Sequence, residues 1–227
     1  MKRDHLPGLL SALGGYVDTA GFLALQGLFT AHVTGNFVTL GAALAFGSSG
    51  VITKLLALPV FCLVVALVRL ASTALNTRPD GGVTVLLLTQ TLLLALGGAF
   101  ALALGPFTNG DHWSAMLTGL TLVAAMAIQN GVHRIHLPSA PPTTLMTGST
   151  TQIVIDAVDL WRGLPEDLAN QARTRLRKMG TAVVAFALGC AAAALLFYGW
   201  GRICLLLPPL LSLAATRLAR LPADGAR

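Results

Sequence analysis

The sequence predicts an all-α integral membrane protein of about six transmembrane helices in a 3+3 inverted repeat, each half holding a re-entrant or broken half-helix. Three observations carry that prediction: scarce charge, long apolar runs, and a Thr-Gly-Asn/Ser motif that occurs twice, at Thr34-Gly35-Asn36 and at Thr147-Gly148-Ser149. Charged residues make up 11% of the 227 residues and hydrophobic ones 55%, too little charge to cover a soluble domain of this length. The mean hydropathy of +0.74 places the chain in a bilayer. The chain reads as one membrane domain over 1–227, with a first repeat over 1–110 and a second over 111–227.

The first apolar run, roughly 9–28, follows Lys2 and Arg3 as a signal peptide would. Asp18 interrupts it and no small-x-small cleavage site follows, so it reads as a retained helix. Phe29-Thr30-Ala31-His32-Val33 is bulky and β-branched, which favours an extended segment. Thr34 then suits an N-cap, and an apolar half-helix continues to about residue 46. Residues 53–75 and 83–107 form the next two spans, and the second of these contains no charge.

The second half repeats this order. A span over 113–131 is followed by Pro138-Ser139-Ala140-Pro141-Pro142-Thr143-Thr144, which cannot be regular helix, and the second motif segment, roughly 143–161, then carries the motif and the half-helix after it. Residues 163–178 interrupt the symmetry as a basic, amphipathic cytoplasmic insertion with Arg173, Arg175, Arg177 and Lys178. Spans over 179–198 and 203–218 complete the half.

Basic residues set the expected orientation. With six spans, both termini face the cytoplasm, and of the 15 Lys and Arg residues only Lys54 and Arg202 fall outside. An eight-span alternative weakens that asymmetry and makes the halves parallel instead of inverted. Asp18 precedes Thr34 as Asn130 precedes Thr147, at nearly equal spacing, which supports duplication.

The expected site lies at the duplicated motifs, because irregular backbone at membrane depth is tolerated only where it is buried in protein or lines a cavity. Two half-helix N-termini converging on one point would favour an anion or a carboxylate-bearing solute. The candidate substrate-binding residues are Asp18, His32, Thr34, Gly35, Asn36, Gln129, Asn130, Thr147, Gly148 and Ser149. Asp18 is the titrating group, since an intramembrane carboxylate is costly unless paired, hydrated or protonated. Asp156 and Asp159 share a helix face and are expected to pair with Arg162 or Arg134. Cys62, Cys190 and Cys204 have no paired spacing and are expected to pack in the core. His133 and His136 lack a third ligand nearby in sequence, so no metal or other cofactor is expected.

No phosphate loop, nucleophile turn or zinc-protease motif is present, so no enzymatic activity is expected. The function predicted is a small-solute transporter or permease coupled to protons. The alternative is a non-transporting membrane scaffold or accessory subunit that binds lipid or a partner protein through 163–178. Expected partners are the lipid bilayer, an unidentified solute and a second copy of the chain, with Gly189 and the alanines at 191–194 offering a surface for close helix contact, and no nucleic acid.

Gly14-Gly15-Tyr16-Val17-Asp18-Thr19-Ala20-Gly21-Phe22, Phe29-x-Ala31-His32-x-Thr34-Gly35-Asn36, Gln129-Asn130, and Thr147-Gly148 before Thr150 together resemble the YoaK-like family of bacterial inner-membrane proteins, a domain of unknown function. Where that family often has Met between His and Thr, this chain has Val33, and where Thr-Gly-Thr is common, Ser149 keeps the hydroxyl. The resemblance implies a multi-pass protein of the bacterial plasma membrane and implies no substrate. The duplicated, inverted half-helix plan also resembles nucleobase and sulfate/bicarbonate carriers, at the level of fold alone.

Overall fold

Glycine, proline and short polar turns punctuate the chain, and each break in helix falls on one of them. The computed structural model describes residues 5–78, 80 and 82–221, so Lys2, Arg3 and Arg227 lie outside the described residues. Among the described residues the regular structure is wholly helical: α1 (Leu6–Ala24), α2 (Gly35–Phe46), α3 (Val51–Ala74), α4 (Val83–Leu104), α5 (Trp113–His136), α6 (Thr147–Arg162), α7 (Glu166–Trp200), a 3-10 turn (Gly201–Leu206) and α8 (Leu207–Ala219).

Among the described residues four stretches are long and apolar enough to cross a membrane: α3, α4, α5 and the continuous Glu166–Ala219. That last stretch, at 54 residues, would rise about 80 Å as one straight helix, against a hydrocarbon core of about 30 Å. It is broken at Gly201, whose φ of 57° and ψ of −137° leave the helical region. The basic segment expected as a separate insertion is instead the first turns of α7, fused without interruption to the apolar run that follows.

Helices α1 and α5 form the buried centre. Leu10, Leu13, Val17 and Ala20 of α1 and Val123, Ala125, Met126 and Val132 of α5 are fully buried. Around them α1 packs on α7 and α8, α5 packs on α3 and α4, and α4 packs on α8. The two short helices sit outside, α2 against α3 and α6 against α7.

Small residues let these backbones approach, which is what drives helix association where lipid is as apolar as the side chains. A Cβ added at Gly15 would collide with the Phe186 carbonyl oxygen, and one at Gly189 with that of Ala12. Gly189 therefore serves contact within the chain, while Ala191 and Ala194 stay exposed. Of the cysteines, Cys204 is buried, Cys190 is half-buried with its thiol donating to the Gly15 carbonyl at 3.4 Å, and Cys62 is exposed on α3. Core packing thus fails for Cys62, because α3 turns that face outward.

The same close contacts give helix directions. Gly8 faces Thr181 and Gly15 faces Phe186, so α1 and α7 run parallel. Thr53 lies by Gly119 and Val68 by Gly131, so α3 and α5 are also parallel. Gln129 bonds the Leu10 carbonyl while Gly119 faces Leu25 and Leu28, making α1 and α5 antiparallel.

One end of the bundle is knitted by polar loops. Asp111, between α4 and α5, caps α3 across the fold by accepting the N–H groups of Gly50 (2.9 Å), Val51 (3.1 Å) and Thr53 (3.1 Å). Burial pushes this carboxyl up, and the N–H groups of Thr53, Gly50, Ile52 and Val51 more than reverse it, leaving it below the usual value. Lys54 donates to the Gln26 carbonyl at 3.0 Å, and Arg202 donates to the Ala101 carbonyl at 2.8 Å near the negative end of α4. At the opposite end Asp80 caps α4 through the N–H groups of Gly82 and Thr84, both at 3.0 Å. Hydrogen bonding from Thr84 lowers its pKa most, burial opposes, and the Gly82 N–H adds to the lowering, which takes it from 3.8 to about 2.

Asp111→Ala is expected to cost about 1–2 kcal/mol, the usual cost of losing a helix cap. A carboxylate whose pKa falls on folding stabilises the fold above the ordinary carboxyl range, and that contribution disappears as pH drops through the folded value. The thermal midpoint of the detergent-purified variant should therefore fall less steeply with acid than that of wild type. Equal slopes below about pH 4 would remove Asp111 from the account.

Candidate functional site

Two buried polar nodes flank the central helices, one for each motif. In the first, α1 carries Asp18 against the chain that returns before α2. Oδ1 of Asp18 accepts the backbone N–H of Thr30 (2.8 Å), Ala31 (2.7 Å) and His32 (3.4 Å), and the Thr30 hydroxyl at 3.4 Å. Oδ2 lies 2.6 Å from Nδ1 of His32. The carboxylate is 4% exposed, so the several donors replace the water it has lost. Gly21 makes this possible by leaving room for the Thr30 methyl group.

Asn36 closes the same loop. Its amide pairs with the Phe29 backbone in both directions, donating to the carbonyl at 2.8 Å and accepting the N–H at 2.9 Å. The His32 ring stands edge-on to Phe186 of α7 at 5.7 Å and to Phe29 at 6.1 Å. Its side chain is 28% exposed, the one titratable group of the node with an open edge.

In the second node, Gln129 is fully buried and donates to the Leu10 carbonyl (2.8 Å) and to the Thr143 hydroxyl (3.2 Å). Its Oε1 accepts from Gln90 of α4 at 2.9 Å. Asn130 donates to the Met126 carbonyl at 2.9 Å and accepts the Thr144 hydroxyl at 2.7 Å. The Thr143 carbonyl rests against Gly14 of α1. Among the described residues, Oε1 of Gln90 and Oγ of Ser149 are buried without a hydrogen-bond partner. Gln90 carries a signal the sequence reading passed over, since it is the one amide in the uncharged run 83–107.

The structure thus joins Asp18, His32 and Asn36 in one node and Gln129 and Asn130 in another. It does not bring the motif threonines into either. Thr34 and Thr147 are exposed, Gly148 is exposed with open space around it, Gly35 packs against the Phe29 ring, and Ser149 is buried. The motif threonines also do not cap: Thr34 occupies the N-cap position in a helical conformation with no side-chain bond, and α6 begins at Thr147 itself behind Met146. Asn36 takes over the tethering role by bonding backward instead of forward.

The two half-helices pack on different partners, α2 on α3 and α6 on α7. Leu10 and Asp18, which anchor the second and first nodes on α1, are about 12 Å apart along the axis at ~1.5 Å per residue. The polar side chains thus form two separate nodes, one for each motif. Asp156 pairs with neither Arg162 nor Arg134: Arg175 holds it bidentately, Nη2 to Oδ1 at 2.8 Å and Nε to Oδ2 at 3.1 Å. Gly163 turns the chain back between α6 and α7, which brings that arginine alongside. His133 and His136 diverge, the first to the Ala140 carbonyl (3.1 Å) and the second to the Ser72 hydroxyl (3.0 Å).

Gln129→Leu removes the acceptor of the buried Gln90 amide and the donor of two further bonds. It should cost about 1–3 kcal/mol for the orphaned group. Gln90→Leu with Gln129→Leu should recover part of that loss in a thermal denaturation cycle. Strict additivity would deny that the two amides are paired.

Among curated proteins and among solved structures, no match was found. The sequence does match a family described as "Protein of unknown function (DUF1275)" over residues 6–218, nearly the whole helical bundle, and the chain belongs to that family.

Proposed function

We propose that this chain is a six-span permease for a small polar solute in a bacterial plasma membrane, built as a 3+3 inverted repeat with both termini cytoplasmic. The observation that carries the reading is the pattern of helix packing. Exchanging α1 with α5, α2 with α6, α3 with α7 and α4 with α8 turns α1–α7 into α5–α3, α1–α8 into α5–α4, and α2–α3 into α6–α7. The α4–α8 and α1–α5 pairs map onto themselves. The antiparallel α1 and α5 support inverted halves over parallel ones, and hence six spans over eight.

Both polar nodes follow the same rule: a polar side chain late in the central helix of each half holds the chain that leads into the half-helix. A transporter fold of this kind places its sites where such irregular chain meets the central helices. Lys54 and Arg202 near one end, with Arg69, Arg134, Arg173 and Lys178 towards the other, support a cytoplasmic placement of the latter.

The coupling role attaches to Asp18 and His32 as a pair. Asp18 already accepts several donors, so the open edge of His32 is where a proton enters, and Nδ1 passes its effect to Oδ2. A proton on the ring strengthens the hold of α1 on the 30–32 segment, and its loss relaxes that hold. The amides of Gln129, Asn130 and Asn36 and the hydroxyls of Thr143 and Thr144 are uncharged, and by exchanging internal hydrogen bonds they suit an uncharged polar solute.

Purified protein in tight liposomes loaded with a pH-sensitive dye tests this reading against a panel of neutral, acidic and basic metabolites. At least one solute should drive proton movement through wild type. His32→Ala should abolish the proton movement while leaving the protein folded. Wild-type vesicles that move none of the panel would overturn the permease reading.

A further inference from the structure

A third polar feature lies apart from both nodes. A cavity of about 320 Å³ opens between the C-terminal end of α5, the proline-rich segment 138–142 and the first turns of α7. Its cations are Arg134, Arg175 and Lys178, with His133 beside them. They are not equally free. Arg175 is held bidentately by Asp156, and the other nearby acid, Asp159, also faces Arg175. Nε2 of His133 lies against the Ala140 carbonyl, so that nitrogen carries the proton and serves as donor there. Arg134 and Lys178 form no ion pair among the described residues. Among the described residues the cavity therefore presents two positive charges without an acidic partner, one from α5 and one from α7.

Its remaining surface narrows the ligand. Pro138, Pro141 and Pro142 have no N–H to offer and that of Ala140 is taken by the Leu137 carbonyl, so an anion here is bound chiefly by side chains. Met179 closes one side and starts the apolar run of α7, where Val184, Leu188 and Leu195 are exposed at 59%, 64% and 72%. A group seated at Arg134 and Lys178 thus lies at the level where α7 becomes apolar enough to cross a membrane. That combination fits a phosphate whose ester carries acyl chains.

We propose that this cavity binds the headgroup phosphate of an anionic phospholipid, with Arg134 as the planar donor and Lys178 as the second charge. The guanidinium and Lys178 share the phosphate oxygens, and the acyl chains enter the bilayer from that level. The site is independent of solute transport and stands or falls separately from it.

The test uses the full chain in dodecyl maltoside, titrated with dioleoylphosphatidylglycerol, dioleoylphosphatidylcholine or inorganic phosphate, with thermal midpoint and native mass spectrometry as readouts. Phosphatidylglycerol should raise the midpoint saturably and remain bound as a single retained lipid, with phosphatidylcholine far weaker because its choline cation meets the same two charges. Arg134→Gln and Lys178→Gln should each weaken the apparent affinity about tenfold, as for loss of a charge-assisted bond. Arg173→Gln with Arg177→Gln, basic residues outside the cavity lining, should leave it unchanged. An equal response to inorganic phosphate, lost in the same variants, would assign the cavity to a free phosphate and overturn the lipid. Equal weakening in the Arg173/Arg177 variant would reduce the effect to surface charge and overturn the site altogether.

Discussion

Asp18→Ala should be the most destabilising polar substitution in the chain, at about 3–5 kcal/mol, the usual range for breaking a buried charged network. It removes at once the acceptor for the N–H groups of Thr30 and Ala31 and the partner of His32. Those amides sit in irregular chain with no helix ladder to turn to, so each is left buried and unpaired. Asp18→Asn should lose less, because one amide oxygen can still accept the Thr30 and Ala31 N–H groups while the charge facing His32 is gone. The comparison separates the two roles of the carboxylate. Thermal denaturation reads the tether, and dye-loaded vesicles read the proton. Stability within about 0.5 kcal/mol of wild type for Asp18→Ala, the scale of a surface change, would mean the loop does not depend on this residue.

Gly189→Val and Gly15→Val form the second large effect. At each position a Cβ would meet backbone of the facing helix, the Ala12 carbonyl in one case and the Phe186 carbonyl in the other. Backbone cannot change rotamer, so α1 and α7 must move apart over their whole shared length. Overpacking usually costs about 1–3 kcal/mol, and the absence of a movable side chain puts these at or above the upper end. The expected result is loss of the monodisperse folded peak on size exclusion, or a marked fall in thermal midpoint. Gly180→Ala is the matched control on the same helix, with open space around its Cβ. It should be neutral or slightly stabilising, by up to about 1 kcal/mol from helix propensity. Equal behaviour of Gly189→Ala and Gly180→Ala would show that α1 and α7 are not in backbone contact.

The helices themselves were readable from local pattern. The run expected over 83–107 is α4 to within its Gly105 stop, and those over 53–75 and 113–131 match α3 and the greater part of α5. Asp18, His32 and Asn36 could be singled out because polar groups in an apolar run must be satisfied somewhere. Their partners could not be read the same way. Asp18 bonds the loop before α2, Asn36 and not the expected N-cap Thr34 fastens that loop, and Asp111 caps α3 from a loop near sixty residues distant in sequence.

Helicity and membership of a bilayer depend on composition and period over one or two turns, and a chain carries that information at every point. Which faces meet depends on where small residues admit a second backbone, as at Gly15, Gly131 and Gly189, and on the direction in which each turn returns the chain. Gly163 brings Arg175, not Arg162, to Asp156, and α2 and α6 take their seats on α3 and α7. Those outcomes are set by contacts between residues remote in sequence, and they arise only when the whole bundle is packed.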